Sequence, residues 1–332
     1  MAKKMLAVLI ALMLMCGCAN AQSTKPPLAR QGFMLNTVIS ISLYDNQDEA
    51  ILDGAFALCE EYEQLFSRTI STSDVYRINH SDGAPVKISD ATAELLCIAL
   101  EYARLSGGAF DPTIEPLVTL WDIMADEPHV PDAGAISAAL ARVDWTKVSV
   151  DGNVVTLHAD MGLDLGGIAK GYIADKLREY LSENGVDSAL INLGGNVLTL
   201  GGKPDGSNFT IGVQKPFGQN SDILGALRLK GMSVVTSGIY ERYFVENDRL
   251  YHHILDTKTG YPVENELYSV TIISPTSTDG DALSTICFAL GSEDGMALIE
   301  TLDGIECVYC LSDGTLLFSS GARKFWLNPD EL

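Results

Sequence analysis

DLGGIAKG, residues 164–171, lies where the pattern of the chain changes. Helical periodicity predominates before it, whereas strands broken by glycine-rich turns predominate from Ala189 to Ile273. Helices and strands therefore form separate blocks and do not alternate as β-α-β units. This arrangement predicts an α+β fold with antiparallel strands rather than a doubly wound parallel sheet.

The spacing of apolar residues predicts the individual elements. Strict alternation predicts a strand from Phe33 to Tyr44. Ser89 is the predicted N-cap of a helix that reaches Leu105. The other predicted helices cover residues 48–66, 136–143, 168–181 and 281–290, and hairpins are predicted over 147–158 and 304–319.

The composition limits what the protein can bind. The 332 residues include 22 Lys+Arg and 44 Asp+Glu, which gives a formal net charge of −22. Binding to nucleic acid or to an anionic lipid surface needs clustered cations, so this balance argues against both. A polyanionic ligand would need a metal ion, a helix N-terminus or a few placed cations.

The N-terminus predicts export. Residues 1–17 combine two lysines with an apolar run from Met5 to Met15, too short to span a bilayer, which is typical of a signal peptide. Gly17 before Cys18 predicts processing to a lipoprotein with a lipid on Cys18. Cleavage a few residues later, giving a soluble secreted protein, is the alternative.

The remaining chain divides into a short tether and one domain. Residues 18–30 are predicted to form the lipidated tether, and residues 31–328 a single domain. The five cysteines past Cys18 are odd in number and dispersed, so they predict buried thiols and no disulfide framework.

The segment 164–171 also predicts chemistry. Its glycines allow a backbone to approach a ligand closely, and the following helix offers free N–H groups to a phosphate. Lys170 adds a cation in the first turn, although the spacing is not that of a P-loop. An ordinary packing role for the two glycines is the alternative.

Two glycine-rich turns and a histidine pair follow. Residues 191–196, INLGGN, are interpreted as a backbone wall against a flat ligand, or as a tight turn, and residues 236–238, TSG, open the stretch that contains the histidines. His252 and His253 would face opposite sides of a strand, so one at most can face a site as a general base. Asp256 can cap the next turn.

Asp281 and Thr285 lie one helical turn apart on the same predicted face. A carboxylate and a hydroxyl are hard oxygen ligands that suit Mg²⁺ and leave room for water and phosphate. The alternative is an acid that favours the helix dipole and a threonine bonded to its own helix.

Together these motifs resemble the ApbE family, the FAD:protein FMN transferases. The resemblance runs from about Phe33 to about Phe318. Its ordered pieces are Met34 with Thr37, Gly108–Thr113 leading to Pro116–Trp121, and residues 164–171, 192–196, 236–238, 252–262 and 279–285.

The resemblance implies an α+β fold related to the tunnelling fold, and Mg²⁺-dependent cleavage of FAD. FMN would pass to a threonine of a target protein as a phosphoester, releasing AMP, and subunits of membrane redox complexes are the implied acceptors. Alternatives are an FAD pyrophosphatase and a non-catalytic flavin-binding lipoprotein. An exported, membrane-anchored lipoprotein on the extracytoplasmic side agrees with Cys18.

Matching positions imply the site residues. His253 and Asp281 would be catalytic, with His253 as the base for the acceptor. The metal ligands would be Asp281, Thr285 and the carbonyl of Gly167. The implied FAD contacts are Met34, Ala109, Phe110, Asp111, Asp164, Lys170, His253 and Ile254. Thr69 stands where many members have an aromatic residue.

Overall fold

The structure is a computed structural model that describes residues 26–219 and 222–331. The helices are α1 (Glu49–Phe66), α2 (Asp74–Asn79), α3 (Asp90–Leu105), α4 (Glu115–Trp121), α5 (Ala133–Leu140), α6 (Ala169–Glu183) and α7 (Ser277–Ile299). The strands are β1 (Leu28–Met34), β2 (Thr37–Leu43), β3 (Val86–Lys87), β4 (Ser149–Asp151), β5 (Val154–Thr156), β6 (Ala189–Leu193), β7 (Asn196–Leu200), β8 (Phe209–Gln214), β9 (Ile223–Leu229), β10 (Ser233–Gly238), β11 (Tyr243–Glu246), β12 (Arg249–His252), β13 (Leu267–Ser274), β14 (Glu306–Leu311), β15 (Leu316–Phe318) and β16 (Trp326–Leu327). The predicted signal peptide and Cys18 lie outside the described residues.

Eight strands form the main sheet, in the order β1-β2-β6-β7-β10-β13-β14-β15. Each neighbouring pair in this sheet is antiparallel. Three smaller sheets have the orders β16-β9-β8, β3-β5-β4 and β11-β12. The fold-class prediction, α+β with antiparallel strands, is confirmed.

The predicted first strand was wrong in its extent. The segment 33–44 is divided between β1 and β2, because Leu35 and Asn36 adopt left-handed backbone angles of 56° and 54° and form a tight turn. β1 begins at Leu28, so the last three residues assigned to the tether belong to the sheet. Pairing of β1 along the whole of β2 explains this earlier start.

The long helices agree with their capping residues. Asp48 accepts a hydrogen bond from Ala50 N at the start of α1, and Ser89 accepts one from Thr92 N at the start of α3. α7 begins at Ser277, four residues before the predicted start, because the hydroxyl of Thr276 is its N-cap and accepts from Asp279 N. α5 begins three residues early for the same reason, with Asp132 as its cap.

The main core lies between the eight-stranded sheet and helices α1, α3, α6 and α7. The sheet β16-β9-β8 packs on the opposite face of β10, β13 and β14, through residues that include Ile273 and Trp326. α4 and α5 pack on β11 around Trp121 and Phe244. The functional motifs therefore meet where α6, α7 and β10 come together.

α7 is long and apolar enough to cross a membrane by length and composition. It is nevertheless a core helix, since Leu283, Ile286 and Phe288 are completely buried in the main core. Gly291, with a φ of 81°, interrupts its helical geometry.

The prediction that the cysteines past Cys18 are buried thiols is confirmed for four of the five. Cys59, Cys287, Cys307 and Cys310 are buried free thiols, whereas Cys97 is exposed. Burial raises the pKa of Cys59 and of Cys287 to about 12, so both remain thiols near neutral pH.

Candidate functional site

Most of the predicted site residues line one cavity of about 420 Å³. Its volume lies in the usual range for ligand sites, about 300–1,000 Å³. The predicted residues that line it are Ala109, Phe110, Asp111, Asp164, Gly167, Lys170, His253, Ile254, Asp281 and Thr285. Segments far apart in sequence therefore form one wall.

Met34 is the predicted FAD contact that does not line this cavity. Its neighbours Leu35 and Asn36 do, because the left-handed turn after β1 directs these two residues at the opening. Met34 is half-buried and packs against the main core. Thr69 also lines the cavity. The side chain at this position is therefore a small alcohol, where many members of the resembled family have an aromatic ring.

Two helices of the site pack closely against each other at the α6–α7 junction. This junction is formed by Gly171 of α6 and by Ser277 and Asp281 of α7. Asp281 is 4% exposed, and its Oδ2 accepts a hydrogen bond from Gly171 N at 2.9 Å. Its Oδ1 lies 3.3 Å from Lys170 Nζ. The carboxylate thus occupies the N-terminus of α6, where the helix dipole stabilises negative charge.

Gly171 is required for this approach. A Cβ at this position would lie 2.3 Å from the carbonyl oxygen of Ser277 and 2.8 Å from Cβ of Asp281. Both neighbours belong to α7, and the nearest is backbone that cannot move aside. The final glycine of DLGGIAKG is therefore required for the packing of α6 against α7.

Thr285 completes an oxygen-rich group of residues. A Cβ on Gly167 would lie 3.9 Å from Thr285 Oγ1, so the hydroxyl faces the Gly-Gly segment. Ser284, not Thr285, bonds back to the carbonyl of Asp281. Among the described residues no hydrogen bond to Thr285 Oγ1 is present, so the hydroxyl is free for a ligand.

These residues fit a small hard cation. The Asp281 carboxylate, the Thr285 hydroxyl and the Gly167 carbonyl are hard oxygen donors, and a metal ion would take the place that Lys170 Nζ holds beside Asp281 Oδ1. No group of three or more His, Cys, Asp or Glu suited to a metal exists among the described residues. A site with one carboxylate must therefore share its ion with water or a substrate phosphate.

Asn196 adds an unsatisfied donor at the cavity wall. Its Oδ1 accepts from the Ser277 hydroxyl, but its buried Nδ2 has no partner in the described part of the chain. A buried amide donor without a partner is costly, by about 1–3 kcal/mol. A bound molecule or a water that accepts a hydrogen bond from Asn196 Nδ2 would account for this unpaired donor.

The segment 109–113 is fixed by its own aspartate. Asp111 is buried, and it accepts hydrogen bonds from Thr113 N at 2.8 Å and from Trp145 N at 3.1 Å. Burial raises the pKa of its carboxyl above the usual value. The carboxylate thus holds the loop that presents Ala109 and Phe110 to the cavity.

Asp164 connects two loops at the opposite wall. Its Oδ1 accepts from Gly166 N at 2.7 Å, and its Oδ2 lies 3.2 Å from Arg68 Nε. Arg68 also donates to Thr119 at 3.0 Å. The ion pair orients the Gly-Gly segment toward the site.

The two histidines have separate roles. His252 is buried, and its Nε2 lies 3.0 Å from the carbonyl of Val263, so it is structural. His253 lines the cavity, with Nδ1 3.3 Å from the carbonyl of Arg242. Burial, helped by the Arg242 charge, lowers the pKa of His253 to about 3, so its ring is neutral near pH 7. A neutral imidazole can accept a proton.

Four further charged residues line the cavity without having been predicted as ligands. Arg68 and Arg242 are positive, and Glu63 and Glu241 are negative. Glu241 and Arg242 follow the TSG motif, but Arg68 stands alone after α1 and gives no sequence signal. Asp256 accepts from Lys258 N at 2.7 Å, which confirms that it caps its turn.

Comparison with known proteins shows the family of the chain. The ApbE family model matches residues 35–309. An FAD:protein FMN transferase of Klebsiella pneumoniae is 41% identical over 87% of this chain and 91% of its own length. One from Treponema pallidum is 33% identical over 95% and 92%.

Solved structures are similar throughout. The ApbE protein of Thermotoga maritima superposes with a TM-score of 0.83 and 32% identity, covering 90% of this chain and 99% of its own. The flavinyl transferase ApbE of Pseudomonas stutzeri has a TM-score of 0.81 and 31% identity, covering 90% and 96%.

The fold and the site thus define an enzyme of the flavin transferase class. The chain belongs to the ApbE family.

Proposed function

We propose that the protein transfers FMN from FAD to a threonine hydroxyl of an acceptor protein, in a Mg²⁺-dependent reaction that releases AMP. The observation that carries this proposal is the contact of α6 with α7. Gly171 N meets Asp281, and Thr285 faces Gly167, in the cavity that also contains Lys170 and His253.

The acceptor hydroxyl would form a new bond to the phosphorus of the FMN half. The bond between this phosphorus and the bridging oxygen breaks, and AMP leaves with the bonding electrons. His253 lines the cavity with a neutral ring, and we assign it as the group that receives the hydroxyl proton. The products are a threonine phosphoester of FMN, AMP and one proton.

The residues of this chain bind and orient the dinucleotide. Lys170 and the metal site formed by Asp281, Thr285 and Gly167 meet the diphosphate, while Ala109, Phe110 and Ile254 support its apolar parts. When bound, Mg²⁺ would supply a Lewis acid that stabilises charge on the leaving oxygen. This local positive charge would allow a protein of net charge −22 to hold an anionic dinucleotide.

Transfer and hydrolysis share these residues, so the product must be measured. The protein is incubated with FAD, Mg²⁺ and a threonine-containing acceptor, and AMP and covalent flavin fluorescence are recorded. Fluorescence on the acceptor with equal AMP supports transfer. Free FMN with AMP would indicate a pyrophosphatase, and tight FAD binding without AMP would indicate a binding protein.

The proposed enzyme works outside the cytoplasm, anchored by a lipid on Cys18. Residues 1–17 support this location by their basic start and apolar run. The anchor would bring the site near subunits of membrane redox complexes. Mass spectrometry of the mature protein tests it: Cys18→Ser should lose the lipid, whereas Cys16→Ser should retain it.

A further inference from the structure

The site opens beside an exposed aromatic surface. The exposed large apolar residues of the described chain are Phe33, Val38, Leu105, Met124, Val154, Phe217, Tyr243 and Val245. Leu105, Met124 and Val154 are single, which is normal for a protein surface, and Phe33 is paired with Val38 across β1 and β2. Phe217, Tyr243 and Val245 instead lie together with the half-buried Tyr240 and Tyr268, and we call these five residues the aromatic rim.

Phe217 is the centre of the aromatic rim. Its ring centroid lies 5.3 Å from that of Tyr268, 5.8 Å from that of Tyr243 and 6.0 Å from that of Tyr240, each in an edge-to-face arrangement. Such pairs are favourable beyond the area they bury. The three tyrosines thus hold an aromatic ring that remains 46% exposed.

The backbone at Phe217 is strained. Its φ is 55°, in the left-handed region that bulky residues rarely adopt. The surrounding residues maintain this conformation and keep the ring at the surface, where burial does not repay the strain. Strained positions of this kind gather at sites of binding or catalysis.

The aromatic rim adjoins the cavity through the chain itself. Tyr240 and Tyr243 flank Glu241 and Arg242, and both of these intervening residues line the cavity. Val245 lies on the same face of β11 as Tyr243, because side chains alternate and Phe244 between them is buried.

We infer that the aromatic rim binds the acceptor protein through apolar side chains that flank its target hydroxyl. This inference rests on the proposed transfer to a protein. A protein acceptor must present its hydroxyl at the cavity opening near His253, so its flanking residues meet the surface beside that opening. An exposed aromatic cluster at an interface is typical of an energetic hot spot.

Binding of synthetic peptides tests the inference without catalysis. Two neutral, rhodamine-labelled peptides carry a single threonine, flanked by leucine in one and by serine in the other. Fluorescence anisotropy should show that the wild-type protein binds the leucine peptide at least about tenfold more tightly than the serine peptide.

The variants decide where this preference arises. Phe217→Ala should remove it, and Val245→Ser should reduce it. Leu105→Ala, which truncates an apolar residue of similar exposure (41%) on another face, should retain it. Quenching of FAD fluorescence in each variant checks that the protein is folded.

Two results would overturn the inference. One is an unchanged preference in Phe217→Ala. The other is a wild-type dimer in sedimentation experiments that Phe217→Ala dissociates, since a second copy would then cover the surface. A leucine preference without flavin labelling of any acceptor would contradict the proposed transfer alone, whereas labelling without a preference would contradict this inference alone.

Discussion

The α6–α7 junction and the aromatic rim differ in how completely they are prepared before a substrate arrives. At the junction, Asp281 is buried and both of its oxygens contact α6. At the rim, Phe217 and Tyr243 remain exposed beside the opening. The end of the site that meets the diphosphate is therefore preorganised, which favours electrostatic catalysis. The end that meets the acceptor leaves apolar surface to be covered.

The largest expected effect is at Asp281. Asp281→Asn retains an oxygen that can accept from Gly171 N, but it removes the charge that a metal requires. We expect AMP release to fall by at least about 10³-fold, since electrostatic stabilisation is usually the main catalytic contribution.

Asp279→Asn is the matched control for this prediction. Asp279 lies two residues earlier in α7 and accepts from the Tyr102 hydroxyl in another cleft. Its substitution should leave AMP release within a few-fold of wild type. Equal losses in both variants would remove the metal assignment of Asp281.

A smaller loss is expected for His253→Ala. General base catalysis contributes about 10²–10⁴-fold, so flavin transfer should fall by at least about 10²-fold. The affinity for FAD, measured by fluorescence quenching, should change much less. The exposed His129 gives the control His129→Ala, which should behave as wild type; a loss confined to FAD affinity would make His253 a positioning residue.

The pH dependence follows from the lowered pKa of His253. A pKa of about 3 in place of 6.5 means that the folded protein favours the neutral ring. The associated stability is present above pH 6.5 and is lost as the pH falls toward 3. Wild-type protein should therefore lose more unfolding free energy than His253→Gln between pH 6.5 and 4. Parallel curves in urea titrations would contradict this.

Gly171→Ala tests the junction by packing alone. The added methyl group would meet the Ser277 carbonyl oxygen, and overpacking of this kind costs about 1–3 kcal/mol. Urea unfolding should show this loss, and Mg²⁺ should bind more weakly because α6 and α7 move apart. Unchanged stability together with unchanged Mg²⁺ affinity would mean that α6 and α7 have room for the added methyl group, against this account.

The smallest expected effect concerns Arg68. Its ion pair with Asp164 is partly exposed, and such pairs contribute about 0.2–1 kcal/mol. Arg68→Ala should raise the KM for FAD by about two- to fivefold with kcat preserved, as the Gly-Gly segment loses orientation. A large fall in kcat would show instead that Arg68 acts on the reacting phosphates.

The sequence predicted local features better than contacts. The spacing of Asp281 and Thr285 correctly predicted one helical face, and Ser89 correctly predicted a cap. The need for glycine at position 171 could not be predicted, because the Ser277 carbonyl that excludes a side chain comes from a helix more than 100 residues later.

Other parts of the site depend on local geometry that a pattern does not encode. Met34 was expected at the cavity, but a two-residue left-handed turn presents Leu35 and Asn36 there. Arg68 and Phe217 are single residues in loops, without a periodic or motif signal. Both acquire their place from the folded neighbours Asp164 and Tyr268.

Anomalous diffraction from a crystal grown with FAD and Mn²⁺ in place of Mg²⁺ tests the central claim most directly. The account predicts one strong peak coordinated by Asp281, Thr285 and the Gly167 carbonyl, at distances near the octahedral value of about 2.1 Å, and touching the FAD diphosphate. A peak elsewhere in the cavity, or a diphosphate bound away from α6 and α7, would contradict it.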